Sequence, residues 1–140
     1  MGSNQRHFLP AFAELVDRLT VDQIKEVLLP DTKAAMADEM DKICHDIDLI
    51  ISERQLDLNA RMIRILIALS QINMHIWHLK DRMQQYPEHY ADDLKLAHQL
   101  NGIRNQLKNK LLEESADKER SAQRTNFNTD GLQGWEISID

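Results

Sequence analysis

Apolar residues recur at helical spacing in the N-terminal part of the chain. The first such stretch follows Pro10, which suits the first turn of a helix, and it includes Leu15 and Leu19. The segment Thr20-Val21-Asp22-Gln23 matches a capping box, so a second short helix is expected to start there and to end at Pro30. The sequence therefore predicts a short N-terminal helical arm, either two short helices or one kinked helix.

Three longer amphipathic stretches follow, which predict helices at about 32–54, from Asp57 or Asn59 to about 85, and from about 88 to 115. Their apolar faces comprise Met36, Met40, Ile43, Ile47 and Ile50; Leu58, Met62, Leu66, Leu69, Ile76 and Met83; and Leu96, Leu100, Ile103, Leu107 and Leu111. The first of these faces has coiled-coil-like spacing. Short connections favour antiparallel neighbours. We therefore predict an all-α, antiparallel helical bundle of three long helices plus the N-terminal arm, spanning 1–115.

The apolar periodicity fades after Ser115, which predicts a flexible tail over 116–140. At its end, Trp135, Ile137 and Ile139 alternate with polar residues, a pattern typical of a strand. The segment 131–140 is therefore a candidate docking segment, for this bundle or for a partner.

Composition narrows the functional classes. The net charge of −6 argues against a nucleic-acid-binding protein. No N-terminal apolar run follows a basic segment, which argues against a signal peptide, and no apolar run is long enough for a membrane span. The single cysteine, Cys44, permits no intrachain disulfide and is expected to be a small core residue. We expect a cytoplasmic protein without a cofactor, which self-associates or binds a protein partner. Self-association is favoured by Ile63 and Ile67, which form a second apolar face on the third helix.

The third helix carries the most conspicuous polar residues. A helical wheel places Asn73 and Lys80 near the centre of the apolar face, with Trp77 and Asp81 on its flank. The two histidines of this helix, His75 and His78, are predicted to face solvent. If the third and fourth helices form a hairpin, residues whose numbers add up to roughly 173 lie level. Asn73 is then expected beside Asn101, and Lys80 beside Asp92 and Asp93.

Two interpretations of these residues stay open. A polar residue in an apolar interface can fix the register of the helices. Alternatively, the residues can line a ligand pocket in which the guanidinium of Arg104 holds an anion. The candidate site for either role comprises Asn73, Trp77, Asp81, Asn101, Arg104 and Asn105.

A weaker candidate for metal binding lies on the second helix, where Asp41, His45 and Asp48 share one polar face. The dipeptide His45-Asp46 resembles that of metal-dependent HD phosphohydrolases, although Asp46 points about 100° away from His45 on a helix. Further ligands would have to come from His7, His75, His78 or Asp81. The sequence contains no nucleotide-binding loop, zinc-binding cysteine pair or nucleophile elbow.

The pattern Asn73-x-x-Ile76-Trp77-x-x-Lys80-Asp81, followed by Leu100-Asn101-x-x-Arg104-Asn105, resembles a family of small, uncharacterised, all-helical bacterial proteins associated with cell-envelope polysaccharide gene clusters. The resemblance covers about 40 residues of the chain. Lys80 stands where the family has an acidic residue, which removes one carboxylate from any shared site. The resemblance implies a bacterial helical bundle and a link to surface-glycan assembly, but no known reaction.

The sequence favours a non-enzymatic interaction or accessory protein, because catalytic motifs are missing and the C-terminal segment has a docking pattern. The alternative is a small-ligand-binding protein or a metal-dependent enzyme of the phosphohydrolase type. It would use the polar residues between the third and fourth helices or the acidic line around His45.

Overall fold

The structure, a computed structural model, describes residues 5–115. Within this range all regular secondary structure is helical, as the sequence predicts. The helices are α1 (Phe12–Leu28), α2 (Lys33–Glu53), α3 (Ala60–Gln85) and α4 (Tyr90–Glu114), with short 3₁₀ turns at Pro30–Thr32 and Pro87–His89. The predictions for the tail, including Trp135, Ile137 and Ile139, lie outside the described residues.

Helices α3 and α4 form an antiparallel hairpin. At one end Arg61 Nε lies 2.7 Å from Glu114 Oε1, and at the other end Arg82 Nε lies 3.1 Å from Asp93 Oδ2. The residue numbers in both ion pairs add up to 175, which is close to the predicted register. Lys80 was expected near the centre of the apolar face of the third helix, and this was wrong, because the residue is exposed. Its long polar side chain costs less in solvent than in the apolar interface.

Helix α1 is central to the bundle, because it packs against all three other helices. It is one helix of 17 residues, which favours the single-helix alternative, and the second helix start expected at Thr20 was wrong. Instead of capping a helix, the Thr20 hydroxyl donates a hydrogen bond to the carbonyl of Asp17, 2.7 Å away. Thr20 therefore lies inside a helix that continues past it, and its side chain bonds to the preceding turn.

Helix α2 occupies a side position. Among the four described helices, its backbone comes close only to α1, while α1, α3 and α4 contact one another. Helices α1 and α2 run antiparallel, as do α1 and α4. Glu39 of α2 faces Asp22 of α1, and Asp46 of α2 binds the chain at Phe8. The gap between α2 and α3 is therefore not filled by a described helix.

The core confirms most of the predicted apolar faces, but the assignment of Leu58 to the face of the third helix was wrong, because Leu58 precedes α3 and is exposed. Buried residues include Met40, Ile43 and Ile50 of α2, Met62 and Leu69 of α3, and Leu100 and Leu111 of α4. Helix α1 contributes Phe12, Leu15 and Val16. Burying a side chain of this size stabilises the fold by about 1.5–3 kcal/mol. The continuous cluster ties the side helix α2 to the other three helices.

The connection between α2 and α3 has well-defined ends. Gln55 has a φ of 50°, and the N–H of Leu56 donates to the carbonyl of Ile51 at 3.0 Å, as in a Schellman motif. Helix α3 then begins at Ala60 and is capped by Asn59, whose side chain accepts a hydrogen bond from the N–H of Met62 at 2.9 Å. This confirms the alternative in which Asn59 is the cap. None of the described helices combines the length and the apolar character needed to cross a bilayer.

Candidate functional site

A group of buried and half-buried polar residues from three helices meets at Asp17 of α1. Its carboxylate accepts hydrogen bonds from Asn73 Nδ2 of α3 at 2.9 Å and from Arg104 Nε of α4 at 2.9 Å, and Arg104 Nη2 binds its second oxygen. The Asn73 amide also donates to the hydroxyl of Thr20 at 2.6 Å. One carboxylate on α1 thus holds side chains from two other helices.

A second ion pair extends this cluster by one turn. Lys108 Nζ lies 2.7 Å from Glu14 Oε1, and the same ammonium lies 3.8 Å from Asp17 Oδ2. Lys108 is 5% exposed and Asp17 is 3% exposed. We call Glu14, Asp17, Asn73, Arg104 and Lys108 the polar clamp. Two carboxylates face two cations, so the formal charges of the clamp balance.

The electrostatics of the clamp favour the ionised state of Asp17. Burial raises the pKa of this carboxyl, but the hydrogen bonds from Arg104 and Asn73 and the charges of Arg104 and Lys108 outweigh it. The net effect is a pKa below the ordinary value of an aspartate. The hydrogen bond to Asp17 in turn raises the pKa of Arg104. Both partners therefore stay charged and paired at neutral pH.

The clamp contains two of the six predicted site residues. Asn73 and Arg104 come together, but through Asp17 rather than by direct contact. Asn101 is exposed and accepts a hydrogen bond from Arg104 Nη1 at 3.4 Å.

The other predicted residues lie outside the clamp. Trp77 is half-buried and Asp81 is exposed, one and two turns beyond Asn73 along α3, and Asn105 is half-buried next to Arg104 on α4. The histidines His75 and His78 are exposed, as predicted.

Sequence reasoning missed Asp17, the residue that organises the clamp. A signal for it does exist in the sequence. Asp17 follows Leu15 and Val16, both buried, and it lies one turn before the half-buried Thr20 and Val21. A carboxylate on the apolar face of a helix requires a cationic or hydrogen-bonding partner. The sequence does not show which residue is that partner, because Arg104 lies 87 positions further along the chain.

Next to the clamp lies a small polar pocket of about 280 Å³, which is lined by Asp17, Arg18, Val21, Asp22, Lys25, Glu39 and Arg104. Asp22 is 5% exposed and faces the carboxyl of Glu39 across the α1–α2 interface. Burial, together with the charge and the hydrogen bond of Glu39, raises the pKa of Asp22 to about 6. The two carboxyl groups therefore share a proton in mildly acidic solution.

A larger groove of about 770 Å³ opens where α2 and α3 flank α1. Its floor is formed by the C-terminal half of α1, including Ile24 and Val27. One wall is α2, with Ala37 and Met40, and the other wall is α3, with Met74. We call this the apolar groove. Its volume falls in the range typical of ligand-binding pockets.

The groove corrects the expectation for Cys44. The thiol was predicted to be in the core, but the residue is exposed and lines the apolar groove. Its neighbour Ile43 is fully buried against α1, and successive residues on a helix differ by about 100° in direction. Cys44 therefore faces the gap between α2 and α3. Partial burial raises the pKa of the thiol, and the charges of Asp48 and Asp41 add to this effect.

A third cluster joins the chain before α1 to the middle of α2. Asp46 has no exposed surface, and its two oxygens accept hydrogen bonds from the N–H groups of His7 and Phe8, both at 2.7 Å. His45 Nε2 lies 3.0 Å from the carbonyl oxygen of Gln5. The rings of His7 and His45 meet edge to face, with centroids 5.0 Å apart.

This cluster differs from the metal candidate suggested by the sequence. In residues 5–115, the group of histidine, cysteine and carboxylate ligands close enough to share an ion is His7, His45 and Asp46. The sequence had nominated Asp41 and Asp48 beside His45. Both are exposed on α2, and Asp41 lines the apolar groove. His7, which lies beside His45, is one of the further ligands named above for the HD-type alternative.

Comparisons with known proteins identify no relative of this chain. No protein-family model matches the chain, and no match was found among curated proteins or among solved structures.

Proposed function

We propose that this chain is a non-enzymatic interaction protein whose apolar groove binds an amphipathic helix of a partner protein. The observation that carries the proposal is an open apolar groove between three helices, with walls whose backbones are not in contact. Laying an amphipathic helix into such a groove is a common mode of protein recognition.

The shape of the groove supports a helical occupant. The side position of α2 leaves a gap between α2 and α3, above the surface of α1. Along α3, Ile63 and Ile67 precede Ser70 and Met74 at steps of four, three and four, so the apolar surface continues beyond the groove. Ile63 is 50% exposed and Ile67 is 53% exposed. A partner helix that covered this strip would bury apolar surface that now faces water.

The charge of the groove indicates the chemistry of the partner. Glu26 and Asp41 lie among its lining residues, and no lysine or arginine does within the described part of the chain. The whole chain has a net charge of −6. We therefore propose a partner helix with apolar residues on one side and lysine or arginine along its flanks, since complementary charge favours encounter and orientation.

The polar clamp supports a binding role over a catalytic one. Its carboxylates and cations pair with each other and join α1 to α3 and α4. Groups that are satisfied in this way hold helices in register, whereas catalytic groups must remain available to a substrate. The suggested link to envelope-glycan assembly stays a prediction, and the genes that neighbour this one would test it.

A designed peptide provides the test. The probe is a fluorescein-labelled amphipathic helix of about 18 residues, with leucine on one face and lysine on the other, measured by fluorescence anisotropy. A second peptide carries glutamate in place of lysine. We expect the lysine peptide to bind at least about tenfold more tightly than the glutamate peptide.

Two matched variants locate the binding. Val27→Arg places a cation in the groove, and Tyr90→Arg places one at a similarly exposed apolar residue on α4. We expect Val27→Arg to weaken binding of the lysine peptide by about tenfold or more, and Tyr90→Arg to change it by less than about twofold. Equal effects of the two variants, or equal binding of the two peptides, would reject the proposal.

Sedimentation of the unliganded protein tests the competing occupant. If the wild type is a dimer and Val27→Arg is a monomer, a second copy of this chain covers the groove and a separate partner helix does not. Cys44 is the single cysteine of the sequence and lines the groove, so its alkylation rate gives a local readout. Bound peptide should slow that rate. Because the pKa of the thiol is raised, the reaction is best followed above neutral pH.

A further inference from the structure

We propose that His7, His45 and Asp46 form a binding site for a divalent transition-metal ion of the zinc class. Each residue offers one ligand atom, and these three atoms lie within 4.8 Å of one another. Two imidazole nitrogens and a carboxylate oxygen are a common zinc-binding set. The site joins the segment before α1 to α2, and it is separate from the apolar groove.

The distances are compatible with a small adjustment on binding. Zinc–nitrogen and zinc–oxygen bonds of about 2.0–2.2 Å at tetrahedral angles put neighbouring ligand atoms about 3.3 Å apart. The present separations exceed this value by at most about 1.5 Å, given the 4.8 Å limit. His7 is exposed and precedes the first helix, so a side-chain rotation can close the difference without moving the core.

Asp46 is fixed in the orientation that a ligand requires. Each of its oxygens accepts one backbone N–H bond, and a carboxylate oxygen can accept a further bond at its second lone pair. Among the described ion pairs, its cationic partner is Arg6, whose Nε lies 3.9 Å from Oδ2, beyond hydrogen-bond distance. A buried carboxylate without a hydrogen-bonded cation is stabilised by a nearby metal ion.

His45 also has a geometry that suits a ligand. Its Nε2 lies 3.0 Å from the carbonyl oxygen of Gln5, an arrangement in which Nε2–H donates and Nδ1 carries the lone pair. Ligand histidines commonly donate their second ring nitrogen to a carbonyl, which fixes both the tautomer and the ring. The contact therefore leaves one nitrogen of His45 able to bind the ion.

The site would act as a metal-dependent clasp on the N-terminal segment. Residues 5–10 lie before α1 and are held on α2 by hydrogen bonds to Asp46 and His45. An ion bound to His7 and to α2 would add a cross-link between them. Three protein ligands leave at least one coordination position for water or for a further ligand.

Titration with zinc chloride in a calorimeter tests the proposal, using full-length protein without a polyhistidine tag. We expect one ion per chain with a Kd below about 10 µM. Cobalt(II) serves as a spectroscopic probe, because its visible absorption reports nitrogen and oxygen coordination.

The variants His7→Gln and His45→Gln should each weaken zinc binding by about tenfold or more. His78→Gln removes an exposed histidine on α3 and should leave the affinity unchanged. His7→Gln alters an exposed side chain outside the helices, so loss of binding there cannot be attributed to unfolding. A Kd above about 10 µM for the wild type, or equal losses in His7→Gln and His78→Gln, would overturn the proposal.

Discussion

The two halves of α1 differ in how they contact the neighbouring helices. Toward its N-terminal half, Glu14 and Asp17 are engaged by charged and polar side chains from α3 and α4. Toward its C-terminal half, Ile24 and Val27 form the floor of a groove that α2 and α3 flank without closing. We call the first region closed, because its polar groups pair with one another inside the bundle. We call the second region open, because its apolar surface lines a groove that faces solvent. Polar residues inside a bundle can thus be structural, while an open apolar surface is the better indicator of binding.

The largest expected effect is on the closed region. Asp17→Ala leaves the half-buried Arg104 without its carboxylate partner, and it also removes the carboxylate that faces the buried Asn73 and Lys108. Breaking a buried ion pair from one side costs about 3–5 kcal/mol, so we expect a loss of this size in the free energy of unfolding. Urea denaturation followed by circular dichroism measures it. Asp81→Ala removes an exposed carboxylate from α3 and should change stability by less than about 0.5 kcal/mol.

An intermediate effect is expected at the polar pocket beside the clamp, and it depends on pH. The pKa of Asp22 is raised to about 6, so the folded state binds a proton more tightly than the unfolded state. Stability from this group is therefore present in acid and is lost as the pH rises from about 4 to about 6. Asp22→Asn should make the protein more stable than the wild type at pH 7, and this advantage should vanish toward pH 4.

The size of that advantage is about 1 kcal/mol, because the solvent-facing pocket screens part of the repulsion between Asp22 and Glu39. Glu39→Gln should produce a smaller change in the same direction, since it removes the facing charge but leaves the burial of Asp22, which is the larger cause of the raised pKa. Unfolding free energies from urea titrations at several pH values provide the measurement. If both variants keep the stability difference at pH 4 that they show at pH 7, the paired-carboxyl interpretation is wrong.

The smallest effect on stability is expected in the open region. Val27 is 64% exposed although it lines the groove, so Val27→Ser should change the free energy of unfolding by less than about 0.5 kcal/mol. Leu69→Ala, at a fully buried site on α3, should cost about 2–5 kcal/mol in the same assay. A large destabilisation by Val27→Ser would mean that the groove surface is covered in the protein alone.

The sequence determined much of the fold. The spacing of apolar residues set the extents of α2, α3 and α4, because each helix must bury one continuous face. Asn59 was recognisable as a cap, since its short side chain can accept a backbone N–H bond at a helix start. The short Tyr86-Pro87 connection also determined the antiparallel pairing of α3 and α4. These features depend on residues close together in the chain.

The tertiary structure alone decided the positions of the candidate sites. Asn73 and Arg104 were identifiable as unusual residues, but their common partner Asp17 lies 56 and 87 positions away. Likewise, His7 reaches His45 and Asp46 only because the segment before α1 crosses α2. The exposure of Cys44 depends on α2 packing beside α1 and leaving a gap toward α3. A periodic pattern states which face of a helix is buried, but not which other helix covers it, and that choice decides which polar groups meet.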